Sequence, residues 1–348
     1  MEAVARILRD GHRGKAFPAA TIEVGTSTGA IWQAAFGKLT FEEGAPDATL
    51  HTVFDLASLT KVIATTSAAM RAVSFGQLDL ATPLADMLPE WKARADEGIT
   101  VRHLLDHSSG LPAHARLWRE ATGRAEYLRA LAALAVERPA GASAVYSDPG
   151  FMLLGFALET REAVPLGVLT ARWLDNITGD LQFLPPSSWR TRTAPTELDP
   201  WRGRLLVGEV HDENAAALGG VAGHAGMFGT APAVGAFARL LLQSFRQSTV
   251  LASPSVMRYF ATRTGVPGSS RALGWDTMLP TSSCVRRLSA TAIGHTGFTG
   301  ASLWIDHERD LYVVLLSNRV HPTRANDAFV ALRPLVHDAV IQSLTAGG

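Results

Sequence analysis

The sequence predicts an α+β fold, an antiparallel sheet flanked by N- and C-terminal helices with an inserted, mainly helical domain. Three observations predict it. Short runs of strand character stand at both ends of the chain, in "ATIEVGTSTGAIWQAAFG" and again in "TAIGHTG", "GASLWIDHE" and "DLYVVLLSN". The stretch between, from about residue 77 to 190, carries helical spacing broken by Gly and Pro. The 348 residues suit about two domains, at roughly 150 residues each. Strands at both termini joined through helices describe a sheet built from the two chain ends. The expected division is 1–75 with 215–348 as the sheet domain and 76–214 as the helical domain, with the functional site between them.

In chain order, Val4, Ile7 and Leu8 follow the i, i+3, i+4 rule of an amphipathic first helix. Two apolar runs around Ser27-Thr28-Gly29 signal a hairpin. A helix is expected from Ser58 to Phe75, stopped by Gly76. "VRHLLDHSSGLP", "RAEYLRALAALAVERPAG" and "PGFMLLGFALETREA" supply the middle helices, and "PPSSWRTRTAPTELDPWRGRLL" reads as loop. Thr230 with Pro232 restarts a helix as N-cap and first-turn proline. After the closing strands a last helix is expected from about Arg324.

Composition excludes several function classes. The chain is 47% hydrophobic and 18% charged, with a formal net charge of zero, so nothing basic is set aside for nucleic acid or anionic lipid. Cys284 is the single cysteine, which leaves no internal disulfide and no four-cysteine metal site. The N-terminus has no long apolar segment, and no stretch approaches the roughly 18 apolar residues of a membrane span. The expectation is a cytoplasmic protein without membrane insertion. The sequence leaves its oligomeric state open.

Three short motifs carry chemistry. Ser58-Leu-Thr-Lys61 puts a lysine three residues after a serine, inside the largely apolar run "FDLASLTKVIATTSAAM". On a helix such a pair is adjacent, with Cβ atoms about 5–6 Å apart. A serine hydroxyl needs a base to become a nucleophile, and a desolvated lysine whose pKa falls below about 10.4 can share that work. At a helix start the N–H of Ser58 also points where an oxyanion would form. "VYSDPGF" then offers Tyr146 and Asp148 on a turn; a tyrosine between lysine and serine can relay a proton, while alone it would pass for a core tyrosine beside a helix-capping Asp148. "IGHTGFTG" places His295, Thr296 and Gly297 at a strand end, where Gly297 admits a substrate to the backbone and the Phe298 N–H is a second oxyanion donor.

Together, in this order and at these intervals, Ser-x-x-Lys, Tyr-x-Asp and His-Thr-Gly resemble the constellation of the penicillin-recognising serine enzymes, the class C β-lactamase and low-molecular-mass penicillin-binding protein superfamily. The resemblance runs from about residue 18 to 342 and includes "FDLASLTK", "ITVRHLLDHSSGLP", "VYSDPGF" and "GHTGFTGASLWID". "GEVHDENAAALGGVAGHAGMFGTA" and "LLSNRVHPTR" resemble a branch that includes D-Ala-D-Ala carboxypeptidase-type proteins and muropeptide amidases.

The resemblance implies a β-lactamase/transpeptidase-like fold and a serine hydrolase without metal or cofactor. Ser58 would attack a carbonyl, Lys61 and Tyr146 would handle the proton, and the N–H groups of Ser58 and Phe298 would hold the oxyanion. Asp148, His295, Thr296, Gly297 and Phe298 would line the substrate. The implied substrate is a small amide or peptide derived from cell wall: a D-Ala carboxypeptidase, D-aminopeptidase or muropeptide amidase reaction. The alternatives are a carboxylesterase with the same machinery and a non-catalytic binding or scaffold module with the same fold. Two positions depart from the pattern. Relatives that bind β-lactams commonly carry Lys where His295 stands, and an imidazole of ordinary pKa about 6.5 is largely neutral near pH 7. Asp148 stands where Asn is usual; an ionised Asp only accepts hydrogen bonds, so it favours a substrate N–H or ammonium and holds Lys61 charged.

Other motifs are read as structural. "HDEN" (His211–Asn214) with His224 matches no zinc spacing and reads as a polar loop bonding its own backbone near the site. "GGVAGHAG" lacks the strand and acidic residue of a dinucleotide motif and reads as tight backbone packing. His103 and His107 read as structural. The eight tryptophans are scattered along the chain and read as core and rim rather than an aromatic platform.

Overall fold

The computed structural model describes residues 1–279 and 286–345; Cys284 lies outside the described residues. Its centre is a six-stranded antiparallel sheet in the order Gly29–Gly37, Ala19–Thr26, Leu311–Ser317, Ser302–Asp306, Ile293–Thr296, Asp276–Thr277. The pairing of Ala20 with Ser317 through Gly25 with Tyr312 joins the two ends of the chain. Both faces are covered, which explains the unbroken apolar run "LYVVLLS". Leu311, Val313 and Leu315 point to one layer with Val4, Leu8, Phe329, Val336 and Val340 of the terminal helices Glu2–Arg13 and Ala328–Thr345. Tyr312, Val314 and Leu316 point to the other, where they meet Phe237 and Leu241 of the helix Ala231–Ser244. The alternation is the two-residue period of a strand.

That second layer contains a buried carboxylate, Glu23, held by Arg239 Nη1 at 2.8 Å, Tyr312 Oη at 2.5 Å and Gln33 Nε2 at 2.6 Å. Burying an ion is tolerated only with such pairing. A Cβ at Gly235 would lie 1.8 Å from Glu23 Oε1, so glycine is what lets this helix approach the sheet.

A smaller sheet carries the site. Met227–Gly229 pairs with both Phe54–Asp55 and Leu181–Phe183, so it ties the segment before Ser58 to a strand from the middle of the chain. Around it pack the helices Gly123–Ala133, Asp148–Glu162 and Leu166–Leu174. Residues 149–158 of the second are buried on every side.

Three local expectations change. Ser58 sits on the turn before its helix, and Lys61–Thr66 is wound as a π-helix before the α-helical Ser67–Ser74. The cap of Asp148–Glu162 is Ser147, whose Oγ accepts from the Gly150 N–H at 3.1 Å; Asp148 is the first helical residue. The last helix starts at Ala328, because Arg324 is engaged in ion pairs with Glu197 and Glu213. Asp212 caps the helix Glu213–Ala217.

Candidate active site

Ser58 is mounted on a strained turn. The preceding residue, Ala57, has φ +46°, a conformation that costs a side-chain-bearing residue energy and persists only where the surroundings enforce it. Here Asp55 enforces it. Its buried carboxylate accepts from the Ala57 N–H at 2.8 Å and from the His211 N–H at 2.6 Å, while its carbonyl accepts from Thr299 Oγ1 at 2.7 Å. Burial pushes the Asp55 pKa up against the lowering effect of His211. One side chain thus ties the serine turn to the His211 loop and to the loop after His295. Sequence reading missed Asp55, because nothing local distinguishes it from any other aspartate ahead of a helix.

Lys61 is completely buried. Its Nζ donates to Ser58 Oγ at 3.1 Å and to the His224 carbonyl at 3.1 Å, and pairs with Asp148 Oδ1 at 2.7 Å. The glycine-rich segment makes this possible. A Cβ at Gly223 would lie 2.1 Å from the Phe151 carbonyl, so only glycine brings the His224 carbonyl over the lysine. Burial presses the Lys61 pKa down, but Asp148 and then Tyr146 outweigh it and the pKa stands above its ordinary value. Burial presses Asp148 up, and Lys61 with the His114 hydrogen bond holds it well below the usual carboxylate range. Lysine and aspartate are therefore an ammonium–carboxylate pair. Desolvation alone would lower the Lys61 pKa, and the reading that Asp148 keeps Lys61 charged agrees with the geometry. The second Asp148 oxygen meets His114 Nδ1 at 2.8 Å, and that contact raises the His114 pKa.

Tyr146 fills the space beside them. Its ring lies 4.8 Å from Lys61 Nζ, and its phenol interacts with Lys61 and Ser58. Burial raises its pKa, with Lys61 opposing, so the resting group is a phenol. His107 packs on it at 4.7 Å and accepts from the Ser147 N–H at 3.0 Å. Burial, then Arg271 and Lys61, drives the His107 pKa well down. His107 is structural, as expected, and what it supports is the tyrosine.

The third motif closes the other wall. His295 lies on the strand Ile293–Thr296, 5.9 Å from the Tyr146 ring, with Nδ1 2.8 Å from the Thr296 carbonyl. Burial, then Arg271 and Lys61, pushes its pKa well below the ordinary value, so it is a neutral imidazole. A Cβ at Gly297 would lie 2.6 Å from the Leu56 carbonyl, so glycine lets this strand end reach the serine turn. Among the described residues no hydrogen bond occupies the N–H of Ser58 or of Phe298.

These groups share a cavity of about 510 Å³ lined by Ser58, Tyr146, Asp148 and 295–298. A larger cavity of about 770 Å³, beside Phe156, Val168 and Leu184, holds none of them. Sequence reading missed the arginines that line this cavity: Arg319, Arg324, Arg333 and, beside Tyr146, Arg271. Its guanidinium lies 5.2 Å from the Tyr146 ring centre and 4.0 Å from Asp276. It comes from the loop before the strand Asp276–Thr277 and shares no motif with the serine.

The His211–Asn214 loop lies at the site, and it bonds more than its own backbone. Asp212 caps its helix and meets His224 Nε2 at 2.8 Å; His211 meets Glu197 at 2.9 Å; Asn214 accepts from the Trp118 N–H at 3.0 Å. Among the described residues no group of three or more His, Cys, Asp or Glu is placed to hold a metal ion.

Known proteins resemble the chain along most of its length. The family model described as Beta-lactamase matches residues 4–335. An N-acetylmuramyl-L-alanine amidase of Bacillus subtilis (strain 168) is 31% identical over 345 residues, covering 88% of this chain and 78% of that protein. A putative D-alanyl-D-alanine carboxypeptidase of Salmonella agona (strain SL483) is 27% identical over 314 residues, covering 80% and 72%. Among solved structures, a penicillin-binding protein homologue from Caulobacter crescentus superposes with a TM-score of 0.75 at 17% identity, covering 98% of this chain and 97% of that one.

Proposed function

The chain belongs to the Beta-lactamase family, and from that premise we propose a serine hydrolase that forms an acyl-Ser58 intermediate on small cell-wall-derived amides. The observation that carries the reading is the buried ammonium of Lys61, in contact with Ser58 Oγ and Asp148 at once. A buried charged lysine costs several kcal/mol of desolvation and is explained when it has chemistry to do.

The charge states set the proton path. Ser58 passes its proton to Lys61 as Lys61 passes one to Asp148, and Oγ attacks the carbonyl. The developing oxyanion is received by the N–H groups of Ser58 and Phe298. Tyr146, a phenol at rest, gives its proton to the departing nitrogen. Asp148 then returns a proton through Lys61 to Tyr146, which restores the starting charges. Water repeats the sequence to release the acyl group, with the proton returning to Ser58 Oγ.

An amide joining a muramyl group to a peptide is the substrate we favour, supported by the name of the 31% identical relative; D-alanine peptides are the next candidate, supported by the 27% identical relatives. Arg271 gives the site a cation suited to a carboxylate on the peptide side. Among the described residues no helix is long and apolar enough to cross a membrane. Our reading includes a cytoplasmic place, with released wall fragments as substrates. The test is a panel of muramyl peptides, D-alanyl peptides and short acyl esters: the amides should be turned over with the higher kcat/KM, and preference for plain esters would make the protein a carboxylesterase.

A further inference from the structure

The cleft does not end at Asp148. A second cavity, of about 560 Å³, adjoins the first and shares His114, Asp148, Asp212, Glu213 and Arg324 with it. That volume lies within the range of small-ligand sites, about 300–1,000 Å³. Its outer wall carries Trp118 and Trp201, with ring centres 4.8 Å apart and planes inclined by 51°. The two are far apart in sequence, so only the fold shows that they meet; the reading of the tryptophans as core and rim stands, with Trp91, Trp173, Trp275 and Trp304 buried and Trp201 at the rim.

Both indoles are held in place. Trp118 rides on the short helix Leu117–Arg119, its backbone N–H donating to Asn214 Oδ1 at 3.0 Å. Trp201 sits at the tip of the hairpin between Leu198–Asp199 and Arg204–Leu205, its backbone N–H donating to Asp199 Oδ1 at 2.6 Å. Yet Trp201 remains 42% exposed, and among the described residues neither indole N–H has an acceptor. A large aromatic fixed at a cleft edge with its polar atom free is built to meet a ligand that has both an apolar face and hydrogen-bonding groups.

The charges around it narrow the ligand class. Asp148 is paired with Lys61 at 2.7 Å, Asp199 with Arg202 at 2.5 Å, Asp212 with His224 at 2.8 Å and Glu213 with Arg324 at 2.8 Å. An ammonium entering here would find Asp148, Asp199 and Glu213 already compensated, while Arg116 and Arg119, which also line the cavity, have no carboxylate partner among the described residues. A neutral polyol loses nothing by that, because paired carboxylates and guanidinium groups still accept and donate hydrogen bonds at their outer edges.

We propose that this cavity is a sugar subsite: it takes the pyranose ring of an N-acetylated amino sugar, its C–H face against Trp201 and Trp118 and its hydroxyls toward Asp212, Glu213 and Arg324. The proposal deepens the muramyl-amide reading given above and rests on it for the identity of the sugar. Continuity of the two cavities lets one molecule place its sugar here and its amide carbonyl at Ser58.

The test separates the subsite from the chemistry. In the Ser58→Ala protein, N-acetylglucosamine and N-acetylmuramic acid are titrated by calorimetry, with and without Trp201→Ala or, as a milder change, Trp118→Phe. Sugar binding should weaken about tenfold on Trp201→Ala. In the otherwise wild-type enzyme, Trp201→Ala should raise KM for a muramyl peptide by a similar factor and leave kcat/KM for a sugar-free acyl ester unchanged. Unaltered sugar binding in both tryptophan variants, or equal losses on the sugar-free ester, would overturn the subsite. If the Ser58→Ala protein keeps its hydrolytic activity while sugar binding still depends on Trp201, the hydrolase mechanism fails and the subsite stands.

Discussion

Lys61 Nζ lies 2.7 Å from Asp148 Oδ1 and 3.1 Å from Ser58 Oγ, so one buried ammonium joins the carboxylate to the nucleophile. Where Asn is usual in the resemblance, an Asp changes the resting charge of the lysine and with it the source of basicity.

Asp148→Asn tests that difference. Without the carboxylate, burial dominates and the Lys61 pKa should fall, so the amine becomes the base. Amide hydrolysis at neutral pH should drop at least about 100-fold, the lower range for general acid–base catalysis, and recover as pH rises and the amine forms. The check is kcat/KM against pH in both proteins. An unchanged profile would remove Asp148 from the proton path.

The same pair makes a pH-dependent contribution to stability. The folded pKa of Asp148 is depressed, so its contribution is present above the unfolded value of about 3.9 and is lost as pH falls through the folded one. The folded pKa of Lys61 is raised, so its contribution is present below about 10.4 and is lost as pH rises through the folded one. Below the lowered Lys61 pKa of Asp148→Asn the Tm difference between the two proteins should stay nearly constant, and it should shrink as pH rises through that pKa, because the variant's Lys61 then sheds its proton. Breaking a buried pair costs up to about 3–5 kcal/mol, which Lys61 can reduce by releasing its proton. Thermal unfolding from pH 5 to 9 reads this; the absence of a difference at pH 5, where Lys61 is charged in both proteins, would show that the pair is not ionised in the wild type.

Tyr146→Phe removes the donor to the leaving group and keeps the ring that His107 packs against. Amides should lose at least about 100-fold in acylation, while esters of acidic phenols, which depart without a proton, should lose far less. Equal losses on both classes would make Tyr146 a base for Ser58 instead.

Arg271→Gln should raise KM for substrates bearing a carboxylate and spare neutral esters. The effect should shrink with added salt, since the cation is partly exposed and screening acts over about 8 Å at physiological ionic strength. Kinetics of a D-alanyl peptide and its C-terminal amide at two salt concentrations decide this. His295→Lys is expected to destabilise the protein, because it would bury a second cation where Arg271 and Lys61 already press on the imidazole.

The sheet was legible because period-two runs at both chain ends are local signals, and Leu311–Ser317 shows its two-sided burial in its composition. Ser58 and Lys61 were legible because three residues of separation place them together on any helical turn. Asp55, Arg271 and the Trp118–Trp201 pair were not, since each acts through contacts made across the fold, and spacing says nothing about those. The charge of Lys61 was partly legible: the apolar run around it suggested a lowered pKa, but Asp148 in the place of Asn already pointed to a charged lysine, and the 2.7 Å contact agrees with that.

The central claim is that Ser58 is the nucleophile, activated by its neighbours. Intact-mass measurement after exposure to a fluorophosphonate, followed by peptide mapping, tests it most directly. The wild-type protein should gain one phosphonyl group on Ser58, Ser58→Ala should gain none, and Lys61→Ala should react far more slowly than wild type. A full-rate adduct on another residue, or an unmodified wild-type protein that still hydrolyses its substrates, would contradict the account.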